Sequence, residues 1–138
     1  MDYVRFTIPG EPAGKGRPRF RKGGFPYTPD STVQYENLVK TEYWTQCGTV
    51  KFPDDAMLDM WILAYYSIPR SKSNKQKDMM RRGEIRPTKK PDADNVIKIV
   101  ADSLNHVAYR DDTQIVDCQV HKFYSDNPRV EVFIKQVK

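Results

Sequence analysis

PDADNVIKIVADSLNHVAYRDDTQIV, residues 91–116, decides how the chain is read. Ile97, Val100, Ala101, Leu104 and Ala108 recur at helical spacing, so a helix is predicted over 94–108 with one apolar stripe. Beyond Arg110-Asp111-Asp112 the period drops to two. Val116, Cys118 and Val120 line one face of a strand, and Val130, Val132 and Ile134 line one face of the next. Asp126-Asn127-Pro128 reads as the turn between them, which predicts an antiparallel pair.

Working back from Pro91, residues 87–91 read as extended, and a short basic helix over about 73–83 ends at Gly83. Residues 56–68 (AMLDMWILAYYSI) are too apolar for an exposed element and predict a strand buried on both faces, closed by Pro69. Ser31 and Gln34 make a capping-box start for a helix over 31–47, with Gly48 as its stop. Tyr3 to Ile8 alternates as a first strand. Helices mixed with hairpin-connected strands give an α+β fold. The expectation is a single domain over 1–138: a mixed or antiparallel sheet, two main helices and the short basic helix. At 138 residues and 16.1 kDa, two halves would each sit near the lower limit for an independent core.

The chain has 38% apolar and 12% aromatic residues, too many core formers for a disordered segment. No apolar run approaches the ~20 residues needed to span a bilayer, and the N-terminus lacks a signal-peptide stretch, so a cytoplasmic protein is expected. Cys47 and Cys118 cannot build a disulfide framework and read as thiols in a reducing compartment. The formal charge of +5 is segregated. Arg5, Lys15, Arg17, Arg19, Arg21 and Lys22 crowd residues 5–22 against Glu11 alone. Residues 70–90 hold nine Lys or Arg, including Arg70, Lys72, Lys75, Lys89 and Lys90, against Asp78 and Glu84. The remainder is net acidic. Two positive segments on an acidic body suit a polyanion, nucleic acid above all.

Asp92 and Asp94 stand two apart where the extended passage turns into the helix, and Asp111 and Asp112 lie beyond its end. If the chain folds back, three or four carboxylates meet, and a cation must offset their repulsion. Oxygen-only ligands select Mg²⁺ or Mn²⁺ rather than zinc. The plainer alternative makes Asp94 a helix cap and Asp111-Asp112 turn residues. Asp94, Lys98, Asp102 and Asn105 form a polar stripe beside the apolar one. On it Lys98 is either an ion-pair partner of Asp94 or a cation for a phosphate. Other motifs fail. GEPAGK (10–15) is a residue short of a phosphate-binding loop, and DADNVI (92–97) lacks the glycine of a calcium loop. Cys118 and His121 have no second pair to complete a zinc site, and no serine or cysteine is set beside a histidine for nucleophilic hydrolysis.

GKGRPRF (14–20), Tyr27-Thr28-Pro29, KPDADNVIK (90–98), DSLN (102–105) and YRDDTQIV (109–116), in that order, resemble the RusA family of Holliday junction resolvases. The basic insert ending IRPTKKPD is similar to the Gram-positive and phage branch. The resemblance implies a homodimeric, Mg²⁺- or Mn²⁺-dependent endonuclease that cuts two strands of a four-way DNA junction symmetrically. It assigns the essential, metal-holding aspartates to Asp92, Asp94 and Asp112, with Asp111 as second choice, and the catalytic lysine to Lys98. It places Lys15, Arg17 and Arg19 in the DNA-binding motif. Arg70, Lys72, Lys75, Lys89 and Lys90 would add phosphate contacts. Phe20 and Phe25 are candidates for stacking on bases at an open junction, against plain packing. A broader branched-DNA or flap nuclease and a non-catalytic nucleic-acid-binding module are the competing classes.

Overall fold

The computed structural model describes residues 3–16, 18–20 and 22–138. Arg17 and Arg21, both assigned to the basic N-terminal segment, lie outside the described residues. The chain runs β1 (Tyr3–Pro9), β2 (Arg19–Phe20), β3 (Pro26–Tyr27), α1 (Asp30–Cys47), β4 (Leu58–Ser67), α2 (Asn74–Arg81), α3 (Ala93–Ser103), β5 (Ile115–Ser125) and β6 (Arg129–Gln136). Four strands form one mixed sheet in the order β1-β6-β4-β5, while β2 and β3 make a separate two-stranded hairpin. This is the expected α+β architecture with three helices.

Alternation along the strands builds the core. Val4, Phe6 and Ile8 of β1 lie opposite Ile134, Val132 and Val130 of β6, and all six are buried. On β4, Leu58, Met60, Ile62, Ala64 and Tyr66 point the same way. Tyr35, Val39 and Tyr43 of α1 and Val96, Ile99 and Val100 of α3 pack on them in one cluster. Phe6 and Tyr43 meet edge to face at 5.3 Å.

Both long helices therefore cover one face of the sheet, which corrects the reading of residues 56–68. The other row of β4 is only half-buried or exposed, and Trp61 keeps 40% of its surface accessible. Nor do β5 and β6 pair. They flank β4, β5 parallel to it and β6 antiparallel, and residues 126–128 carry the chain past the end of β4. The period-2 pattern gave the faces of β1 and β6 and, from Cys118 onward, of β5, but a register shift puts Ile115 rather than Val116 opposite Leu58, and hydrogen-bonding neighbours are chosen by topology. Because α3 crosses between β4 and β5, β5 enters in β4's own direction. Its inner row is thinly covered at Cys118, which is exposed, and Val116 is the exposed extra residue at the register shift beside Leu58/Asp59.

The helix ends also differ from expectation. Pro29 rather than Ser31 is the N-cap of α1, with Thr32 and Val33 amides donating to the Pro29 carbonyl; Gly48, at φ 67°, stops the helix as predicted. Ser73 caps α2 by accepting from the Gln76 amide, and Gly83 follows it at φ 80°. α3 ends at Ser103, five residues early. There the Tyr109 hydroxyl donates to the Ala101 carbonyl at 2.7 Å, and a bridge joins Asn105 to Tyr109, turning the chain back. Val96 and Ile99 are buried, whereas Ile97 of the predicted stripe is only partly so.

The sheet's outer strands have side-chain partners along their free edges. The Gln46 amide exchanges two bonds with the Thr7 backbone, at 2.8 and 2.7 Å, and the Cys47 thiol donates to the Arg5 carbonyl. On β5, Arg86 Nε donates to the Lys122 carbonyl at 2.9 Å. No helix among the described residues is long and apolar enough to cross a membrane.

Burial raises the phenols of Tyr35, Tyr43 and Tyr109, and pushes Tyr66 up to about 12. The folded chain thus holds these protons after an unfolded chain, with phenols near pH 10, has released them. Their contribution to stability is complete below that value and is lost as pH climbs toward 12. A tyrosinate absorbance titration should show these four ionising in step with alkaline unfolding rather than gradually.

Candidate functional site

The polar face of α3 collects the acids. The Tyr66 hydroxyl donates to the Pro91 carbonyl at 2.6 Å and fixes the start of the helix over β4. Asp92 is the N-cap, yet its side chain accepts no capping hydrogen bond; Asp94 sits in the first turn, and both are exposed. The capping alternative for this pair therefore lacks its hydrogen bond. One turn on, Lys98 is exposed and, among the described residues, forms no ion pair with Asp94.

At the other end of the helix, the Asp112 amide donates to Asn105 Oδ1 at 2.8 Å. The Asp112 carboxyl is raised by burial and by its hydrogen bond to the Asp102 carboxylate, with Asp111 adding repulsion. Like charges this close favour the protonated form of Asp112. Asp111 points elsewhere. It accepts from the Thr113 hydroxyl at 2.6 Å, which holds its carboxyl below the usual range, and it begins the 3₁₀ turn of Asp112–Gln114. Of the two neighbours, Asp112 is the one turned to α3. Gln114 Nε2 fastens this turn to the Pro53 and Ala56 carbonyls.

Lys15 enters between the helices. Its Nζ lies 2.7 Å from Glu36 on α1 and 3.5 Å from Asp102 on α3. Burial pulls the ammonium's pKa down, but Glu36 and Asp102 outweigh it, so the net shift is upward. The flanking glycines permit this approach. A Cβ at Gly14 would lie 3.0 Å from those of Asn95 and Pro91, and one at Gly16 would lie 2.5 Å from the Thr32 hydroxyl. The sequence reading made Lys15 a phosphate contact; its ammonium is instead engaged by two acids. Neither Glu36 nor Asp102 is marked by the sequence as a partner of this lysine. The Gly-Lys-Gly run and the place of Asp102 on the polar stripe were the available signals.

The other basic positions face outward. Arg19 lies on β2, next to the strongly exposed Phe20, with Phe25 exposed across the same hairpin. Arg70, Lys72, Lys75, Lys89 and Lys90 are all exposed. The basic segment is docked rather than loose: Met80 is buried, and Arg81 bonds Asp126 at 2.7 Å as well as Asp78.

In kind, this donor set suits a hard cation, since only oxygen is offered. In arrangement it forms two pairs. Asp94 and Asp102 are eight residues apart, about 12 Å along the axis at 1.5 Å per residue. Among the described residues no three His, Cys, Asp or Glu side chains come together as a metal-holding group. Asp102 and Asp112 stand beside each other as one such pair of oxygen donors.

The chain is similar to a Bacillus subtilis (strain 168) protein named as uncharacterized protein YqaN, 41% identical with 99% of each chain covered. Residues 9–135 match the family described as endodeoxyribonuclease RusA, so the chain belongs to the RusA endodeoxyribonuclease family.

Proposed function

We propose that the chain resolves Holliday junctions in DNA recombination and repair, hydrolysing two phosphodiesters symmetrically as a cytoplasmic homodimer supplied with Mg²⁺ or Mn²⁺. The observation that carries this reading is the polar face of α3. It presents two exposed carboxylates at its start, a lysine with no ion pair among the described residues, and the Asp102–Asp112 carboxyl pair at its end, in a chain of a nuclease family.

Asp92 and Asp94 at the start of α3, and Asp112 with Asp102 beside it at the end, are two pairs of oxygen donors, each of which would take up a divalent cation. When bound, a divalent ion lowers the pKa of a coordinated water and offsets charge on phosphate oxygens. The chain's own residues do the rest. Lys98, standing between the two acid pairs, stabilises negative charge developing on the scissile phosphate. Lys15 holds the Asp102 carboxylate in place and keeps it aimed at Asp112. Arg19, Arg70, Lys72, Lys75, Lys89 and Lys90 grip the backbone of the junction arms. A two-fold dimer presents two equal sites to a junction with its own near-symmetry, which accounts for paired incision.

Cleavage of a four-way junction, a flap and a linear duplex, at equal salt and with or without Mg²⁺, tests the reading. Preferential junction cutting that needs Mg²⁺ is expected; equal cutting of the flap would favour the broader nuclease, and no product at all the binding module. Asp92→Asn, Asp94→Asn and Asp112→Asn should each abolish cutting while junction binding persists in a mobility-shift assay. Lys98→Ala should slow single-turnover cleavage more than it weakens binding.

Lys15→Met should separate positioning from phosphate contact. It should slow cleavage and leave the salt dependence of junction binding unchanged. Lys75→Ala should instead lower the slope of log affinity against log salt by about 1 and spare the single-turnover rate.

A further inference from the structure

On the inner face of β5 a lysine stands where the alternation calls for an apolar side chain. Val120, Lys122 and Tyr124 lie opposite Ile62, Ala64 and Tyr66 of β4, in the row that faces the helices. Val120 and Tyr124 pack against the core, and Lys122 is half-buried between them. A lysine set this far in usually has a partner for its charge, yet among the described residues Lys122 forms no ion pair. Its ammonium goes to the backbone instead. Nζ donates to the Lys89 carbonyl at 2.8 Å and lies 5.0 Å from the centre of the Tyr66 ring.

That carbonyl belongs to the passage that delivers Asp92. Residues 82–92 join α2 to α3 without helix or strand, and among the described residues 86–91 make no backbone–backbone hydrogen bond. Side chains hold the passage. Arg86 Nε donates to the Lys122 carbonyl, Lys122 Nζ to the Lys89 carbonyl, and the Tyr66 hydroxyl to the Pro91 carbonyl. Lys122 thus serves the passage with both its backbone and its side chain. Its neighbours add to the grip, with Arg86 lying 4.3 Å over the Phe123 ring and Lys89 5.8 Å over that of Tyr124. The acids stand just beyond. Burial raises the Tyr66 phenol and the charges of Asp92 and Glu11 raise it further, so the Asp92 carboxylate lies near the hydroxyl that Lys122 backs.

We infer that Lys122 is a positioning residue for the start of α3: through the Lys89 carbonyl, and with Tyr66 through Pro91, it sets where the Asp92 and Asp94 carboxylates stand. The inference rests on the nuclease reading of those acids and names what aims them. An irregular passage held at no point would let its aspartates wander further than a ligand pair tolerates. Groups that orient metal ligands from behind typically change metal affinity about 10- to 100-fold when removed.

Mn²⁺ titration followed by electron paramagnetic resonance, with no DNA present, tests the role. Lys122→Met keeps an unbranched stem over Tyr66 but has no donor, and should raise the Mn²⁺ dissociation constant about 10- to 100-fold. Lys122→Gln should do the same, and it decides the matter if Lys122→Met loses the wild-type far-ultraviolet circular dichroism. Lys122→Arg, which keeps a donor, should bind Mn²⁺ nearly as the wild type does. Tyr66→Phe should weaken binding too. The Tyr66→Phe/Lys122→Met double variant should lose little more than the worse single one, because both side chains hold one passage. Cleavage by Lys122→Met should fall at low Mn²⁺ and recover at high Mn²⁺, while metal-free junction binding keeps its salt slope. Unaltered or tighter Mn²⁺ binding in a folded Lys122 variant would overturn the inference, as would a wild type that takes up no Mn²⁺. A salt slope lowered by about 1 would also overturn it, by making Lys122 a phosphate contact. A wild type that binds Mn²⁺ as expected but cuts no junction would instead strike the nuclease reading and leave the positioning role standing.

Discussion

The buried row of β4 is the constraint on which the molecule depends. Leu58, Met60, Ile62, Ala64 and Tyr66 are all essentially without solvent contact, and full burial of the larger side chains is worth roughly 1.5–3 kcal/mol each. The same row that anchors the core also sets the site. Tyr66 fastens the start of α3 through Pro91, while Gln114, bonded to Pro53 and Ala56 just before β4, fastens the turn after it. Both ends of the acidic helix face are therefore referred to one strand. The carboxylates of Asp92 and Asp112 come from segments 20 residues apart, yet neither end can drift independently of β4.

A linear network of charge runs across that helix. Glu36 on α1 holds Lys15, Lys15 touches Asp102, and the Asp102 carboxylate stands beside Asp112 and raises its carboxyl. A lone buried carboxyl pair would be costly. Here the ammonium lies against one member and the Asn105 side chain accepts the other's backbone amide, so the pair is held in place without being neutralised. Lys15, which composition alone places with the cations of the basic segments, belongs electrostatically to the acids.

Much of this was legible in the residues. The strand alternations of β1 and β6, the extent of α1 and α2, and the concentration of acids at both ends of one helix follow from local pattern, and local pattern is what a sequence carries most directly. What escaped it is non-local. That β5 pairs with β4 rather than with β6 depends on where a helix crosses, and Asp126-Asn127-Pro128 makes as good a short crossover as a hairpin turn. The burial of residues 56–68 was overstated because an aromatic row against a helix and an aromatic row left open have the same composition. The partners of Lys15 were invisible for a related reason. Glu36 stands 21 positions away, and only the two glycines around Lys15 hinted that the loop is wedged between helices.

Side-chain bonding at the sheet's margins has one more consequence. A bare outer strand is a template onto which an extended peptide can add, and Thr7, Arg5 and Lys122 are among the backbone positions such an addition would use. Gln46, Cys47 and Arg86 already occupy those groups. Growth of the sheet sideways, whether into fibrils or into a continuous eight-stranded dimer, is thereby disfavoured, and copies of the chain are steered toward stacking over lateral extension.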